Sequence, residues 1–581
     1  MEGGKGTGGK KETRPVFMMS TISRFSNCDV LRYLDEKRRD LIFGLLVIAA
    51  ALLVYANSLG NGFVTDDPSV ILHNPVLQGS PLLLFKTIDT TSNTQLLPFY
   101  RPLTYLTFYA EGRLNGFNPF LMHLVNVILH AANAFLVYRL ARSLLLGHGA
   151  ALLAGLLFAV HPLNTESVNF IAGGRNTMLA CFFVLAAYLM HRTGIVQNRI
   201  SIALSGAALF LSGLLSKESA VMVLPFIMMQ EIFAIREKGS GEGLKAAMRF
   251  APYMAATAFY FVLRWMTLSR YGIQTSIIPG FATQKIRDLY IIPSLSERLW
   301  HNVYILPKYL LTVIWPASVS PRYIIPDDLN LVALPILTGW VCFFLLLAWL
   351  IKRGRSYATF FGLSWLLVFW MPVSGIFLVS SIEMADRYFY LPAIGLWIIA
   401  ADQAVRLTSI GKAALKYVMI STGLILIVMA GLTVKRNLDW KSNITLFTRL
   451  TEQYPENPYG HYHLGAAYIT RKGPNDLQSA EKEYKMALGL DPSMYSVYTS
   501  LGYIRLEQGD FEGALYYYST ALAYNPSDQE ARVNRGITYE KLGRDKEALA
   551  DYQIVLSLPE DYNIPGLRTY AEERMRALSR G

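Results

Sequence analysis

The feature that most constrains this chain is a series of long apolar stretches that carry almost no charge. Residues 41–65 contain no Asp, Glu, Lys or Arg, and a helix needs about 20 mostly apolar residues to cross a bilayer. Ten further stretches begin near Leu121, Gly149, Asn176, Ile200, Ser219, Phe250, Leu329, Ser356, Tyr388 and Tyr417. The sequence therefore predicts an all-α, polytopic membrane domain with about eleven transmembrane helices.

The distribution of positive charge predicts the orientation of these helices. Short cytoplasmic loops carry an excess of Lys and Arg, and a cytoplasmic N-terminus places 23 Lys/Arg in the tail and the inner loops. The stretch Leu299–Pro316 is short and contains Lys308 and two prolines, so we interpret it as a re-entrant or interfacial segment. Eleven spans then place the C-terminal region on the non-cytoplasmic side.

Composition indicates a membrane domain followed by a soluble domain. The chain is 52% hydrophobic and 17% charged, whereas soluble domains carry about 25% charged residues. Residues 1–436 have a net charge of +16 and residues 437–581 a net charge of −4. We predict a basic cytoplasmic tail over 1–40, a membrane domain over 41–436 and a soluble domain over 437–581. The three cysteines are scattered and indicate neither a disulfide framework nor a zinc site.

The soluble domain shows a period of 34 residues. The repeating positions are Ala480, Ala514 and Ala548, Tyr484, Tyr518 and Tyr552, and Pro458, Pro492 and Pro526. This period, with small residues where helices cross, is typical of tetratricopeptide repeats. We predict three full repeats after a half-repeat at Trp440–Asn457, forming an α-solenoid with a peptide-binding face. The alternative is a rigid spacer that packs on the membrane domain.

Two adjacent aspartates, Asp66 and Asp67, follow the first span on the predicted outer side. Neighbouring carboxylates repel each other and need a proton, a metal or a basic partner. One of them could act as a general base and take the proton of an acceptor hydroxyl. The alternative is a helix cap followed by a solvated loop.

Further ionisable residues cluster near the outer ends of the predicted spans. Such residues are costly in a membrane domain and therefore suggest function. An arginine there could hold a phosphate, or could extend its charge towards the membrane surface. The candidates are Arg101, His161, Glu166, Arg175, Lys217, Glu218, Asp386, Arg387 and Tyr388.

The sequence lacks the motifs that are typical of several other classes of protein. The chain contains no Walker phosphate loop, no Gly-rich dinucleotide motif and no nucleophile elbow. An ATP-driven pump is therefore not indicated. No nucleic-acid-binding module is present, and the cytoplasmic loops account for the positive charge.

Several segments together resemble a known family. YRPLTYLTF, LFAVHPLNTESVNFIAGGRNTML, SKES and DRYFYLPAIG, followed by the repeats, look like the transmembrane-and-tetratricopeptide-repeat O-mannosyltransferases and their bacterial relatives. The resemblance covers nearly the whole chain after the first 40 residues. It implies a GT-C fold and transfer of a sugar, typically mannose, from a polyprenyl-phosphate carrier to Ser or Thr hydroxyls of exported proteins. It also implies an active site that faces the periplasm or the lumen.

The resemblance assigns the family's acidic pair to Asp66 and Asp67, and its HP-x-x-TE motif to the segment from His161 to Glu166. The arginine that follows is Arg175. An ERYLYLP-like motif corresponds to Asp386–Pro392, with Asp in place of the usual Glu. The repeat array is short beside that of the animal members, so we expect a bacterial-type protein in the inner membrane, or an endoplasmic reticulum protein with luminal repeats if the chain is eukaryotic.

The implied mechanism needs one base and several cations. Because a phosphodiester leaving group is already anionic, a single displacement at the anomeric carbon requires no general acid. Asp66 or Asp67 would be the base, and the sequence does not decide which. Phosphate contacts would come from Arg101, Arg175 and Arg387 beside Tyr388, while His161 and Glu166 would position sugar or acceptor. A divalent metal could bind the acidic pair, but no ligand spacing demands one.

Two alternatives remain open from the sequence. The first is a GT-C enzyme that glycosylates an envelope glycan or lipid, with the repeats recruiting partners. The second is a non-catalytic membrane scaffold in which the repeats dock envelope proteins. Carboxylates placed directly after the first span favour an enzyme over the scaffold.

Overall fold

The computed structural model describes residues 27–87, 99–144, 146–270, 295–316, 356–374, 384–409, 411–558 and 565–579, with scattered residues at 319–348 and residue 376. Regular secondary structure in this part of the chain is entirely helical. The all-α prediction is therefore confirmed.

The membrane domain is built from helices joined by short turns and 3-10 segments. Its α-helices are α1 Asn27–Val54, α2 Pro102–Asn115, α3 Pro119–Ser143, α4 His148–Val160, α5 Thr165–Asn169, α6 Ile171–Val196, α7 Ile200–Ser216, α8 Leu224–Lys238, α9 Gly243–Arg270, α10 Leu295–Ile314, α11 Tyr357–Trp370, α12 Ala393–Thr408 and α13 Lys412–Asp439. Local sequence sets several boundaries. The Asn118 side chain accepts a hydrogen bond from the Phe120 amide at the start of α3, and Gly116 adopts a φ of 67° where α2 ends.

Six of the described helical segments are long and apolar enough to cross a membrane. They are Asp35–Gly60, Pro119–Ser143, Ile171–Val196, Glu218–Lys238, Gly243–Arg270 and Lys412–Lys441. The helices on either side of His161 are bent by 50° and form at most one further span. The structure thus gives six to seven candidate spans in the described residues.

The prediction of eleven spans goes beyond what the structure supports. The stretches predicted near Ile200 and Ser356 fall in shorter apolar helices, and the one near Tyr388 falls in α12, which has 16 residues. The stretch near Gly149 ends after the 13 residues of α4, before Pro162, and the stretch near Tyr388 is broken around Pro392. The stretch near Leu329 lies largely outside the described residues, and Leu299–Pro316 falls in α10, which is not one of the six candidates.

Small residues let the helices of the membrane domain approach closely. Gly362 in α11 faces Gly395 in α12, where an added Cβ would lie 2.1 Å from the Gly362 carbonyl oxygen. Around such crossings, one large cluster of buried apolar side chains joins helices from α1 to α13. This packed scaffold fixes the relative positions of the polar segments at its two ends.

The polar segments at one end come from distant parts of the chain. They include the loop after α1, the broken segment between α4 and α6, the α7–α8 junction and the 3-10 turn Asp386–Phe389. The opposite end carries a separate cluster, in which Asp40 accepts hydrogen bonds from Tyr138 and Arg142. The segments predicted to share one side of the membrane therefore meet at one end of the helices.

The C-terminal region is an array of helix pairs. Its helices are α14 Asn443–Gln453, α15 Pro458–Arg471, α16 Asp476–Leu490, α17 Tyr495–Glu507, α18 Phe511–Tyr524, α19 Gln529–Lys541, α20 Asp545–Ser557 and α21 Pro565–Leu578. In each of three pairs, a glycine of the first helix meets a tyrosine ring of the second, and an added Cβ would lie 2.6 Å from that ring. These pairs are Gly465–Tyr484, Gly502–Tyr518 and Gly536–Tyr552. The 34-residue period thus repeats a helix–helix contact.

The start of the array packs on the membrane domain. Trp440 and Leu446 are buried in a cluster with Val64 and Phe170, and the Trp440 and Phe170 rings stack at 6.4 Å. The array therefore begins directly beside the loop that carries the two aspartates.

Candidate functional site

The two aspartates have different surroundings. Asp67 is fully buried. Its carboxylate accepts hydrogen bonds from the amides of Val64 at 3.1 Å and Ala172 at 2.7 Å. Burial raises the pKa of Asp67 to about 7, although these amide hydrogen bonds oppose the shift. Asp67 thus ties the loop to the N-terminus of α6.

Asp66 is the exposed member of the pair. Desolvation by the surrounding loop raises the pKa of its carboxyl, and the positive charge of Arg387 opposes that shift. Within the described residues its carboxylate has no hydrogen-bond or ion-pair partner in contact with it. Asp66 is therefore accessible to a hydroxyl group.

The backbone before Asp66 is strained. Thr65 has a φ of 51°, a left-handed conformation that β-branched residues rarely adopt. Such outliers persist where the surrounding structure holds them, and they cluster at functional sites. The strained Thr65 therefore marks the loop that carries Asp66 and Asp67 as a candidate functional segment.

The segment from His161 to Glu166 breaks the helix and delivers a carboxylate. Glu166 is buried and accepts a 2.8 Å hydrogen bond from the Arg387 amide, while its other oxygen pairs with the Arg387 guanidinium. His161 donates from Nε2 to the Val313 carbonyl at 2.9 Å and accepts at Nδ1 from the Leu163 amide. Both side chains thus bond to protein groups that hold the break in place.

Arg387 is the centre of the site. Its guanidinium lies 4.9 Å from the Tyr388 ring centroid and 5.6 Å from that of Phe170, and its side chain is 13% exposed. The charges of Glu166 and Asp66 both stabilise its cationic form. Among the described contacts, Nη1 of the Arg387 guanidinium bonds to Glu166, so its other nitrogens can donate to an anion.

The other two arginine candidates are held by their own acidic partners. Arg175 is fully buried and bonds to Glu111, Asn126 and the Met122 carbonyl. Gly174 permits this position, because an added Cβ there would lie 1.9 Å from the Ser167 carbonyl oxygen.

Arg101 forms two hydrogen bonds with Glu218, of 2.8 and 3.2 Å. The structure therefore brings Arg101 towards Lys217, the residue before Glu218, and places Arg175 in the protein interior.

Lys217 is one of the ionisable candidates from the sequence, which gave it no specific role, and the structure places it in the site. It is 9% exposed, donates to Thr177 Oγ1 at 2.7 Å and lies 5.8 Å from the Tyr388 ring centroid. Burial, followed by the charge of Arg101, lowers its pKa to about 7. The charged SKES segment between two apolar stretches is the sequence signal that marks this residue.

A divalent metal site would need several His, Cys, Asp or Glu side chains from the described residues. No group of three or more His, Cys, Asp or Glu side chains among them could hold a metal ion. The candidate site therefore consists of Asp66, Glu166, Lys217, Arg387 and Tyr388.

Comparisons with known protein families agree with the motifs. A family profile described as dolichyl-phosphate-mannose-protein mannosyltransferase matches residues 91–266, and a tetratricopeptide-repeat profile matches residues 499–562. The first match contains Arg101, Glu166, Arg175 and Lys217. It ends before Arg387.

The chain is also similar to curated proteins of animals. Protein O-mannosyl-transferase F38B6.6 of Caenorhabditis elegans is 28% identical, over 77% of this chain and 63% of its own length. Human TMTC3 is 27% identical, over 90% of this chain and 55% of its own length. Human TMTC1 is 28% identical, over 79% of this chain and 56% of its own length. The chain spans less than two thirds of the length of these relatives. The apolar helices of its described residues are those of an integral membrane protein.

The match to the crystal structure of MamA covers 25% of this chain and 89% of the MamA chain. The two are 20% identical in sequence, and the TM-score is 0.20. At this TM-score the match carries no information about the fold.

Proposed function

Because the chain belongs to the protein O-mannosyl-transferase family that joins a polytopic membrane domain to tetratricopeptide repeats, we propose that it transfers mannose from a polyprenyl-phosphate carrier to Ser and Thr hydroxyls of polypeptides. The observation that carries this proposal is the accessible carboxylate of Asp66 beside the cation of Arg387. A base next to an anion-binding group is what this reaction needs.

The step we propose is a single displacement at the anomeric carbon of the sugar. Asp66 takes the proton of the acceptor hydroxyl while the acceptor oxygen forms its bond to that carbon. The bond from the carbon to the phosphate oxygen breaks with its electron pair, and polyprenyl phosphate leaves. One displacement inverts the anomeric configuration. The buried Asp67 would fix the loop that presents Asp66.

The leaving phosphate would contact Arg387 and Lys217. Cations placed where charge develops lower the barrier most when they are already held in position. Glu166 holds Arg387 by two contacts, and Thr177 holds Lys217 by one. Tyr388 lies against both cations, so we propose that it fixes their spacing.

For the remaining candidates we propose support of the site. Arg101 and Arg175 bond to their partners through two or three guanidinium nitrogens each, whereas Arg387 bonds to Glu166 through Nη1. Arg101 and Arg175 would therefore support the site without contacting the phosphate. His161 would maintain the helix break that delivers Glu166. The repeat array, on the same end of the molecule, would bind the acceptor polypeptide, and the site would face the periplasm or the lumen.

A direct test measures release of water-soluble label from tritium-labelled dolichyl phosphate mannose by the full-length protein in nanodiscs. An oriented general base typically contributes about 10²–10⁴-fold, so Asp66→Asn is expected to lower turnover by that factor. The matched control is Asp35→Asn, which changes an exposed aspartate at the other end of α1 and is expected to leave turnover unchanged.

Other results would favour the alternatives. Wild-type activity that Asp66→Asn does not lower would reject Asp66 as the base. Complete absence of label release from wild-type protein with both dolichyl and undecaprenyl donors would favour the scaffold. Label recovered in glycan or lipid, and none in protein, would favour a transferase with a different acceptor.

A further inference from the structure

The start of the repeat array is bonded to the backbone of the loop that carries Asp66. Thr65 donates its amide proton to Asn443 Oδ1 at 2.7 Å, and the Gly62 amide donates to the Lys441 carbonyl at 3.1 Å. These two hydrogen bonds connect residues separated by more than 370 positions in sequence. The array therefore contacts the loop at the residue directly before the proposed base.

This contact falls on the strained residue of the loop. Thr65 has a φ of 51°, and its hydroxyl is buried without a hydrogen-bond partner among the described residues. In the left-handed conformation the amide of Thr65 points to Asn443, which supplies the acceptor. A buried or half-buried amide without an acceptor is costly, so the partner stabilises this conformation over an extended one.

Packing around the contact leaves the loop few other conformations. Val64 is buried with Trp440 and Leu446 of the array, while Asp67 bonds to Val64 and to the Ala172 amide of α6. Asp66 thus lies between a connection to the membrane domain through Asp67 and a connection to the array through Asn443.

Building on the proposed function, in which Asp66 is the base, we infer that Asn443 is a positioning residue for the transfer reaction. By accepting from the Thr65 amide it holds the backbone that aims the Asp66 carboxylate towards the site of Arg387. The array would then serve catalysis directly, in addition to binding an acceptor. Because the phosphate contacts of Arg387 and Lys217 lie on other segments, Asn443 should affect kcat and leave donor binding intact.

The experiment compares Asn443→Leu, Asn443→Asp and the control Asp35→Asn in the full-length protein, using label release from dolichyl phosphate mannose. A displacement of about 1 Å can cost 10²-fold in rate, so Asn443→Leu should lower kcat by about that factor at unchanged donor KM. Asn443→Asp keeps an acceptor oxygen and should recover most of the loss. Asp35 takes part in a local side-chain contact with Arg39 at the other end of α1, so Asp35→Asn should change kcat less than twofold.

Three results would overturn the inference. They are an unchanged kcat in Asn443→Leu, an equal loss in the Leu and Asp variants, and a rise in donor KM that accounts for the whole effect. If Asn443→Leu does not fold, as judged by its thermal unfolding midpoint, Asn443→Ala provides the same comparison. Asp66→Asn measured in parallel separates the two proposals, because full activity in that variant rejects the base itself.

Discussion

At the scale of single residues, adjacent side chains of the same type have opposite environments. Asp66 and Asp67 share one loop. Asp67 is buried and accepts two amide hydrogen bonds, whereas Asp66 is exposed and interacts electrostatically with Arg387. Burial and hydrogen bonding favour a positioning function, whereas exposure favours proton transfer. The assignment of the base to Asp66 rests on this difference.

The charge of Arg387 should influence the pKa of the Asp66 carboxyl group. Its positive charge lowers the pKa of Asp66 against the effect of desolvation, so Arg387→Gln should raise that pKa. Because the base acts only when deprotonated, the acid limb of the kcat–pH profile should move to higher pH. Arg387→Lys keeps a positive charge and should shift the limb less, although donor KM should rise in both variants. An acid limb that does not move in Arg387→Gln would contradict the electrostatic coupling.

At the scale of elements, close helix contacts depend on glycine. The repeats use one glycine per helix pair to admit a tyrosine ring, and the membrane domain uses the Gly362–Gly395 pair in the same manner. Because protein interiors are densely packed, even one added methyl group must displace a neighbour. The regular spacing of these glycines therefore reflects geometry that helices cannot reach with larger residues.

Gly502→Ala should loosen the second repeat. The new methyl group would lie 2.6 Å from the buried Tyr518 ring, and such overpacking typically costs about 1–3 kcal/mol. Hydrogen exchange over α17 and α18 in the full-length protein would measure the lower free energy of local opening. Gly489→Ala is the matched control, since nothing lies within 4 Å of its added Cβ, and it should leave exchange unchanged or slow it. Equal exchange in both variants would contradict the packing argument.

At the scale of the whole molecule, the candidate site and the start of the repeat array lie at the same end of the helices. Trp440 connects them through the cluster with Val64 and Phe170. A shared end means that an acceptor bound by the array would be delivered on the side where the site opens. The prediction that this end faces away from the cytoplasm rests on the 23 Lys/Arg that the sequence places in the N-terminal tail and the inner loops.

A phosphatase fusion would determine that side. Alkaline phosphatase placed after residue 581 should be active in the periplasm, and the same enzyme inserted after Asn198, in the α6–α7 turn, should be inactive. The sequon Asn443-Ile444-Thr445 is a poor reporter, because Asn443 is half-buried and bonds to Thr65. Activity of the Asn198 fusion together with inactivity of the C-terminal fusion would reverse the orientation and place the proposed site in the cytoplasm.

The sequence by itself determined the features that depend on local or periodic patterns. Apolar stretches gave the all-α membrane domain, and the spacing of Ala480, Ala514 and Ala548 gave the repeats, because both patterns are set by the geometry of single helices and helix pairs. Motif resemblance pointed to the family that the comparisons support. The count of eleven spans went further than the structure supports, since the stretches near Ile200, Ser356 and Tyr388 form helices of 17, 14 and 16 residues.

Only the tertiary structure decided which polar groups from distant parts of the chain form hydrogen bonds and ion pairs. Arg387 is 221 residues from Glu166, and Asn443 is 378 residues from Thr65, so no local pattern could pair them. Burial likewise depends on the whole packed molecule, which is why Asp66 and Asp67 differ in the structure and are equivalent in the sequence. The environment of a charged group is a sum over neighbours from every part of the chain, and folding brings those neighbours together.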